Sequence, residues 1–565
     1  MYQPTVFVGP TSSTEHLPYA VETCDPVRIG PDINMPDSES EYDEFRIPEG
    51  WFIFLYPVEI FKLTESNLFI ERKLGVFSTA LLIINRMVGT GIFTTPAAVI
   101  RSTNSVGAAL LFWVLGGILT LAGLFVYLEY GTALPRSGGE KIYLERVYRK
   151  PAYLATCIFA VQFVLFAVST GNCISFSSYI LYAATDDTHE RSKLSRGIAV
   201  AVMTFVSLVH AFLPRTGIYI SNALGAFKLV LLLLVICCGF AALAGHRATP
   251  DPHNFSSFNG GTNGDSSVSV AASASASGYA TALLQVLYSY GGWENANYVL
   301  TEVRQPARTL KRAAPIAALA VMLLYVLANI AYFSVFSKDR MATLEVTLSA
   351  TFFEDIFHKN TFSSKVMPVL VALSALGNVF AQTFAMPRVK QELAKQGILP
   401  ASRFWSSDWP FRAPSAAIFL HWIFSVILIV SLTAKDSYTF VTNIFTYTGN
   451  WIKRNFNQVL LAIGLLYLTW TPSEDWARTR TSFRNYPPVT VFYALSLLFT
   501  LAVPFVPNDL LGSIPFWVLP TVGTSMLAVG ALYWLIWANV LPMLGFHMQH
   551  EIEVMQDGSE RVRYH

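Results

Sequence analysis

Twelve apolar runs, each of roughly 20 residues or more, recur along the chain between residues 75 and 541. About 20 residues of helix are needed to cross a hydrocarbon core about 30 Å thick. In lipid, every backbone N–H and C=O must be satisfied within the segment, so runs of this kind fold as helices. They cover approximately residues 75–100, 107–133, 151–183, 197–213, 216–245, 277–302, 313–337, 364–388, 413–433, 438–469, 487–505 and 514–541. The expected fold class is an all-α membrane protein with 12 transmembrane helices. Composition agrees: 53% of the 565 residues are hydrophobic and 13% charged, about half the charged share of a soluble chain. A net charge of +2 without long basic runs argues against nucleic acid as a partner.

The basic residues orient the helices. They crowd the loops after spans 2, 6, 8 and 10 (Arg136, Lys141, Arg146, Arg149 and Lys150 after the second, Arg304, Arg308, Lys311 and Arg312 after the sixth). This balance places both termini in the cytosol. Residues 1–50 are rich in Pro, Ser, Asp and Glu, with no lysine before Lys62, and read as a disordered acidic tail. The dozen apolar residues of "GWFIFLYPVEIF" are too short to span and read as a membrane-surface segment. No signal peptide is evident. The expected organisation is a tail and surface segment over 1–71, a first repeat over 72–245, an extracellular loop over 246–276, a second repeat over 277–470, two further helices over 487–541, and a cytosolic tail over 542–565. "NFS" at Asn254 is a glycosylation acceptor pattern on the outward side.

Two spans carry glycine where a helix should not. "NRMVGTGIFTTP" puts Gly89 and Gly91 around Thr90 in span 1, and "YSYGGWENANYVLTE" puts Gly291–Gly292 in span 6. Glycine costs a helix about 1 kcal/mol against alanine. Paired glycine interruptions at matching places in two five-helix halves point to an inverted-repeat binding site near the membrane centre. The alternative is close helix packing by small residues. An amino-acid zwitterion suits such a pair of breaks: its carboxylate takes free N–H groups at a helix start, and its ammonium takes freed carbonyls.

"INRMVGTGIFTTP", "YGGWENANYVLTEVRQPARTLKRAAPI" and "ALGNVFAQTFAMPRVKQELAKQGILP" resemble the L-type amino-acid transporter branch of the amino acid–polyamine–organocation superfamily, nearest to its fungal methionine permeases, over roughly residues 72 to 540. The resemblance implies the LeuT fold, a 5+5 inverted repeat plus two helices, with discontinuous helices 1 and 6. Gly89, Thr90, Gly91, Ile92 and Phe93 match the family's carboxylate site. Tyr290, Gly291 and Gly292 match the unwound part of helix 6 that meets the amino group. Tyr288 matches an aromatic residue that closes over substrate, and Trp293 belongs to the same motif, as a pocket wall or a packing residue. Lys228, in "GAFKLVLLLL", stands where sodium-independent members place an ammonium in a relative's sodium site. The alternative is a lysine snorkelling to an interface. Asn378 and Gln382 are candidate pocket-wall residues.

Other intramembrane charges are read from position. Glu294 either tunes the pocket or carries a proton, or else bonds freed amides. Arg86 and Glu302 lie on the cytosolic side of the breaks and are candidate gates. Glu129 reads as an interfacial charge. His210 and His421 lack a third ligand that would suggest metal, and no cofactor is called for. "NWIKRNFNQ" places Lys453 and Arg454 inside span 10, a departure from the family pattern that puts its integrity in question.

The reading is secondary import of a neutral amino acid, methionine first and cysteine or a relative after it, proton-coupled and sodium-independent, at the plasma membrane. A non-transporting amino-acid sensor would need the same breaks. No GxxxxGK[ST], HExxH or GxSxG occurs, which argues against ATP-driven transport and an embedded enzyme. Animal members pair with a heavy chain through an extracellular cysteine, which "AATDDTHERSKLSR" lacks. Fungal relatives meet ubiquitin ligase adaptors at their tails, and the acidic N-terminal tail fits that partner, with Lys62 or Lys73 as acceptor.

Overall fold

The computed structural model describes residues 74–185, 192–246, 250–258, 276–344, 348–357, 361–409, 411, 413–431, 456–479, 483–505, 517–545, 550–554 and 560–564. The N-terminal tail with Lys62 and Lys73, the 186–191 stretch of the outer loop, most of the 246–276 loop, and Lys453 with Arg454 lie outside them.

The first span is two helices. α1 (Val76–Met87) and α2 (Gly91–Thr103) are bent by 44° at the glycine break. α3 (Val106–Ala133) starts on Ser105, whose hydroxyl accepts the Ala108 N–H, as an N-cap should. A short α4 (Glu140–Val147) follows. Next come α5 (Leu154–Phe166), α6 (Thr170–Thr185), α7 (Ser192–Phe212) and α8 (Pro214–Leu243). α9 (Ala276–Ser289) stops at the second glycine pair and continues as a 3-10 stretch, Trp293–Glu302. α10 (Pro306–Val335) is followed by α11 (Lys338–Thr343), α12 (Leu348–Phe357) and the long α13 (Met367–Lys395). The chain then forms α14 (Ser402–Trp405), α15 (Ser415–Ser431), α16 (Asn457–Trp470), α17 (Trp476–Thr479), α18 (Pro487–Ala502), α19 (Val518–Leu535) and α20 (Leu541–Met543). Where the sequence suggests only a tail, His550–Val554 pairs antiparallel with Glu560–Tyr564. Among the described residues, seven helices are long and apolar enough to cross a membrane, or eight with the bent first span, and α15, α16 and α18 are shorter apolar helices.

Several boundaries differ from the sequence reading: α7 starts at Ser192, not 197, and α13 runs on to Lys395, not 388, so that Arg388, Lys390 and Lys395 lie within it. α10 begins at Pro306, not near 313, so Arg308, Lys311 and Arg312 sit on its first turns instead of in a loop. Proline suits that position because a helix's first N–H groups have no partner in any case. The third span is also broken, at Ala167–Ser169, with neither glycine nor proline at the break. His421 and Ser425 on α15 serve it: Ser425 Oγ accepts the Ser169 N–H at 3.3 Å and Ser425 O accepts the Thr170 hydroxyl at 3.1 Å, and His421 lies beside them. Its Nδ1 lies 3.0 Å from the Ala167 carbonyl and its Nε2 2.9 Å from Ser169 Oγ. A carbonyl only accepts, so Nδ1 is the donor to Ala167, and Nε2 shares the other hydrogen bond with the serine hydroxyl. Lys390 Nζ donates to Val164 O at 3.3 Å.

α10 packs against α1, α3 and α8, while α13 packs against α1, α6, α8 and the 3-10 stretch. Small residues set the approach: a Cβ on Gly239 of α8 would lie 2.1 Å from the Ala331 Cβ of α10, a contact only glycine permits. These helices enclose both glycine breaks.

Candidate functional site at the paired helix breaks

The two breaks cross, and glycine is what lets them. A Cβ on Gly91 would stand 2.9 Å from Ser289 Oγ and 3.1 Å from Ser289 Cα, at the end of α9. A Cβ on Gly292 would stand 2.5 Å from Arg86 Cγ and 2.9 Å from the Arg86 carbonyl carbon and oxygen. Gly292 also has φ of +116°, a region that residues with a Cβ rarely enter. The start of α2 therefore lies on the end of α9, and the end of α1 lies on the start of the 3-10 stretch.

Breaking α1 frees its last carbonyls, and other helices answer them. Lys228 on α8 is 0% exposed, and its ammonium donates to Asn85 O at 2.7 Å and Val88 O at 2.6 Å. It turns inward and does not snorkel, setting a positive charge on the negative end of the α1 dipole. Gly377 of α13 makes room for it, because a Cβ there would lie 2.8 Å from Lys228 Cε. Asn85 Nδ2 donates to Ser221 O at 2.9 Å and Ser221 Oγ at 3.0 Å, tying α1 to α8. Asn378 Nδ2 donates to Arg86 O at 3.1 Å, and Arg86 Nη1 donates back to Asn378 Oδ1 at 3.1 Å. The Tyr325 hydroxyl donates to Met87 O at 2.8 Å.

Complementary groups stay open on the other side of each break. Thr90 gives no side-chain cap to α2. The N–H groups of Gly91 and Ile92 make no hydrogen bond among the described residues, and the carbonyls of Tyr290 and Gly291 accept none. Thr90 O receives the Thr94 hydroxyl at 3.1 Å. Ile92 and Phe93 are buried. Donors thus gather on α2 and acceptors on the turn after α9, which is the polarity of a zwitterion seat.

The remaining candidates fall as follows. Glu294 is buried, and its Oε2 accepts the Gly292 N–H at 3.0 Å, so it is engaged in holding the glycine turn. Trp293 is buried with its ring edge-on to Tyr127, centroids 4.7 Å apart. Tyr288 is 37% exposed on α9. Tyr290 is buried, its hydroxyl donating to Trp113 O at 3.0 Å. Asn378 touches the first break, its Nδ2 lying 2.4 Å from where a Gly89 Cβ would be, and Asn172 Oδ1 of α6 lies 4.0 Å from the same point. Gln382, one turn along α13, is buried with Oε1 unbonded. Glu302 is not brought to Arg86. Its ion pair is with Arg388 of α13, whose guanidinium lies 3.8 Å from the Phe384 ring centroid. Glu129 is buried, not interfacial, receiving Trp476 Nε1 at 2.9 Å and the Asn485 N–H at 2.7 Å. His210 Nε2 is 3.1 Å from Phe380 O.

Asn254 corrects an expectation. It is 1% exposed, and its Nδ2, the atom a glycan would need, donates to Phe333 O at 3.0 Å and Phe336 O at 2.6 Å. It serves the carbonyl end of α10 instead. Asn85, Asn172 and Tyr325 are the site residues that sequence reasoning missed. Asn85 stood within the quoted break, but Tyr325 in an ordinary apolar helix gave no signal.

A profile of the amino acid permease family matches residues 74–536. The high-affinity methionine permease of Saccharomyces cerevisiae is 35% identical over 499 residues, 87% of this chain and 84% of that protein. The low-affinity methionine permease of the same yeast is 29% identical over 500 residues, 86% of each chain. The b(0,+)-type amino acid transporter 1 of Mus musculus is 30% identical over 332 residues, 58% of this chain and 64% of that one.

Proposed function

The chain belongs to the amino acid permease family, and from that premise we propose that it imports a neutral amino acid, L-methionine before cysteine or other relatives, by alternating access. It is a multi-pass membrane protein and a transporter, not an enzyme. The names of two relatives, both methionine permeases, favour methionine.

One observation carries the reading: the N–H groups of Gly91 and Ile92 at one break and the carbonyls of Tyr290 and Gly291 at the other make no hydrogen bond among the described residues, and the two breaks meet where Gly91 packs on Ser289. In this reading the substrate carboxylate takes the amides at the start of α2, helped by the helix dipole, and the ammonium takes the carbonyls after α9. Because Lys228 and Tyr325 already occupy α1 carbonyls, the ammonium relies on the second break. Lys228 supplies as a fixed charge what a sodium ion would otherwise supply to Asn85 and Val88, so uptake is sodium-independent, with protons as the driving ion. The twelve crossings are the bent first span, α3, the α5–α6 span, α7, α8, α9 with its 3-10 stretch, α10, α13, the short apolar α15, α16 and α18, and the α19 span, arranged as a 5+5 inverted repeat, with both termini cytosolic at the plasma membrane. The N-terminal tail is the site for a ubiquitin ligase adaptor.

Competition for radiolabelled methionine uptake tests the seat. Excess methionine should compete fully. Its methyl ester and its deaminated analogue should each lose two or more orders of magnitude, since a site built for a polar group is left unpaired without it. An ester that competes as well as methionine would refute the carboxylate seat. Methionine binding without uptake at the cell surface would mark a sensor instead.

A further inference from the structure

α10 passes behind both breaks, and one of its hydroxyls reaches the two of them. Tyr325 Oη lies 2.8 Å from Met87 O, at the end of α1, and 3.3 Å from Ser289 O, at the end of α9. A phenol has a single proton to donate, so the two bonds compete. The oxygen has little freedom to choose between them. The Tyr325 ring is fully buried, edge-on to Trp113 with centroids 5.6 Å apart and 5.0 Å from the Tyr290 ring. Tyr290 is itself fixed by its hydroxyl bond to Trp113 O at 3.0 Å. Which carbonyl takes the proton is therefore set by where the two backbone ends stand.

Those ends meet where the two breaks pack together. Ser289 is the residue against which Gly91 packs, and its carbonyl has no other donor among the described residues. Met87 O also receives the Gly89 N–H at 2.9 Å, so it keeps one bond when the phenol leaves. Ser289 O gains its only bond when the phenol arrives.

We propose that Tyr325 is a positioning residue that couples the two breaks, its one proton shared between the carbonyl ends of α1 and α9 so that substrate held at one break resets the other. The inference rests on the proposed amino-acid seat. It concerns how the seat is kept in register, not which atoms touch substrate.

Tyr325→Phe tests it, because the ring contacts and nearly all the volume remain. With surface amount matched to wild type, the KM for methionine should rise about tenfold, the scale of one lost buried hydrogen bond, while the maximal rate per surface copy changes far less. A KM within twofold of wild type at equal surface amount overturns the proposal. So does a loss confined to surface amount or maximal rate, which is what a purely packing tyrosine would give. If Tyr325→Phe is retained inside the cell, methionine affinity is read on detergent-solubilised protein from the thermal shift methionine produces, with the same two outcomes. Wild-type chain that binds methionine without transporting it would fail the function reading alone, and the binding comparison would still decide this one.

Discussion

Lys228→Met carries the most definite consequence. The ammonium makes bonds of 2.7 and 2.6 Å to the carbonyls of Asn85 and Val88 and is 0% exposed. Methionine has nearly the same length and no donor, so both carbonyls are left buried and unpaired. An unsatisfied buried polar group costs about 1–3 kcal/mol, which makes the pair worth about 2–6 kcal/mol. Both carbonyls lie at the end of α1, beside the break, so the cost falls on the geometry that presents Gly91 and Ile92 to substrate. At 1.4 kcal/mol per tenfold, uptake efficiency should fall at least about 30-fold. Lys228→Arg should not restore it, because a rigid planar guanidinium fork does not reproduce the single nitrogen that reaches both carbonyls. The assay is initial-rate uptake of radiolabelled methionine into permease-deficient yeast, divided by surface amount. Lys228→Met working at wild-type efficiency would refute the reasoning.

Gly292→Ala should abolish uptake by combining a φ of +116° with overlap on the Arg86 carbonyl, whereas Gly197→Ala, on a helix with nothing within 4 Å, should be neutral or stabilising; uptake and thermal melting compare them. The Arg146 hydrogen bond, with Arg149 nearby, holds the Glu474 carboxyl below its ordinary 4.5. A lowered folded value means the pair's stabilisation is complete above about pH 4.5 and is lost as pH falls through that lowered value. Melting temperature should therefore drop more steeply on acidification in wild type than in Glu474→Gln. Asn254→Gln should leave gel mobility unchanged, since no glycan fits there, and lower the melting temperature by loosening the end of α10.

The breaks were legible because lipid cannot satisfy a broken backbone, so glycine inside an apolar run is conspicuous. Lys228 was legible for the same reason, as a charge that needed a partner, although its choice of α1 carbonyls over the interface came from the fold. What stayed hidden was written far away in the chain. The break in the third span has no local mark, because His421 and Ser425, more than 250 residues on, bond its Ala167 carbonyl and Ser169 N–H. Tyr325 sits in an ordinary apolar helix. Asn254 matched an acceptor pattern, yet its amide was needed by Phe333 and Phe336. The Glu302 to Arg388 pair likewise depends on how α13 packs, which charge spacing along the sequence does not encode.

The central claim, that methionine enters through the crossed breaks, is tested most directly by uptake of radiolabelled methionine into permease-deficient yeast at pH 5 and pH 7.5 without sodium, with Gly91→Trp alongside. Gly91 already lies within 3.1 Å of Ser289 Cα when only a Cβ is added, so an indole must force the breaks apart. The account predicts uptake that is stronger at pH 5, collapses with an uncoupler and is absent in a surface-localised Gly91→Trp. No uptake by wild-type chain at the surface, or undiminished uptake by Gly91→Trp, would contradict it.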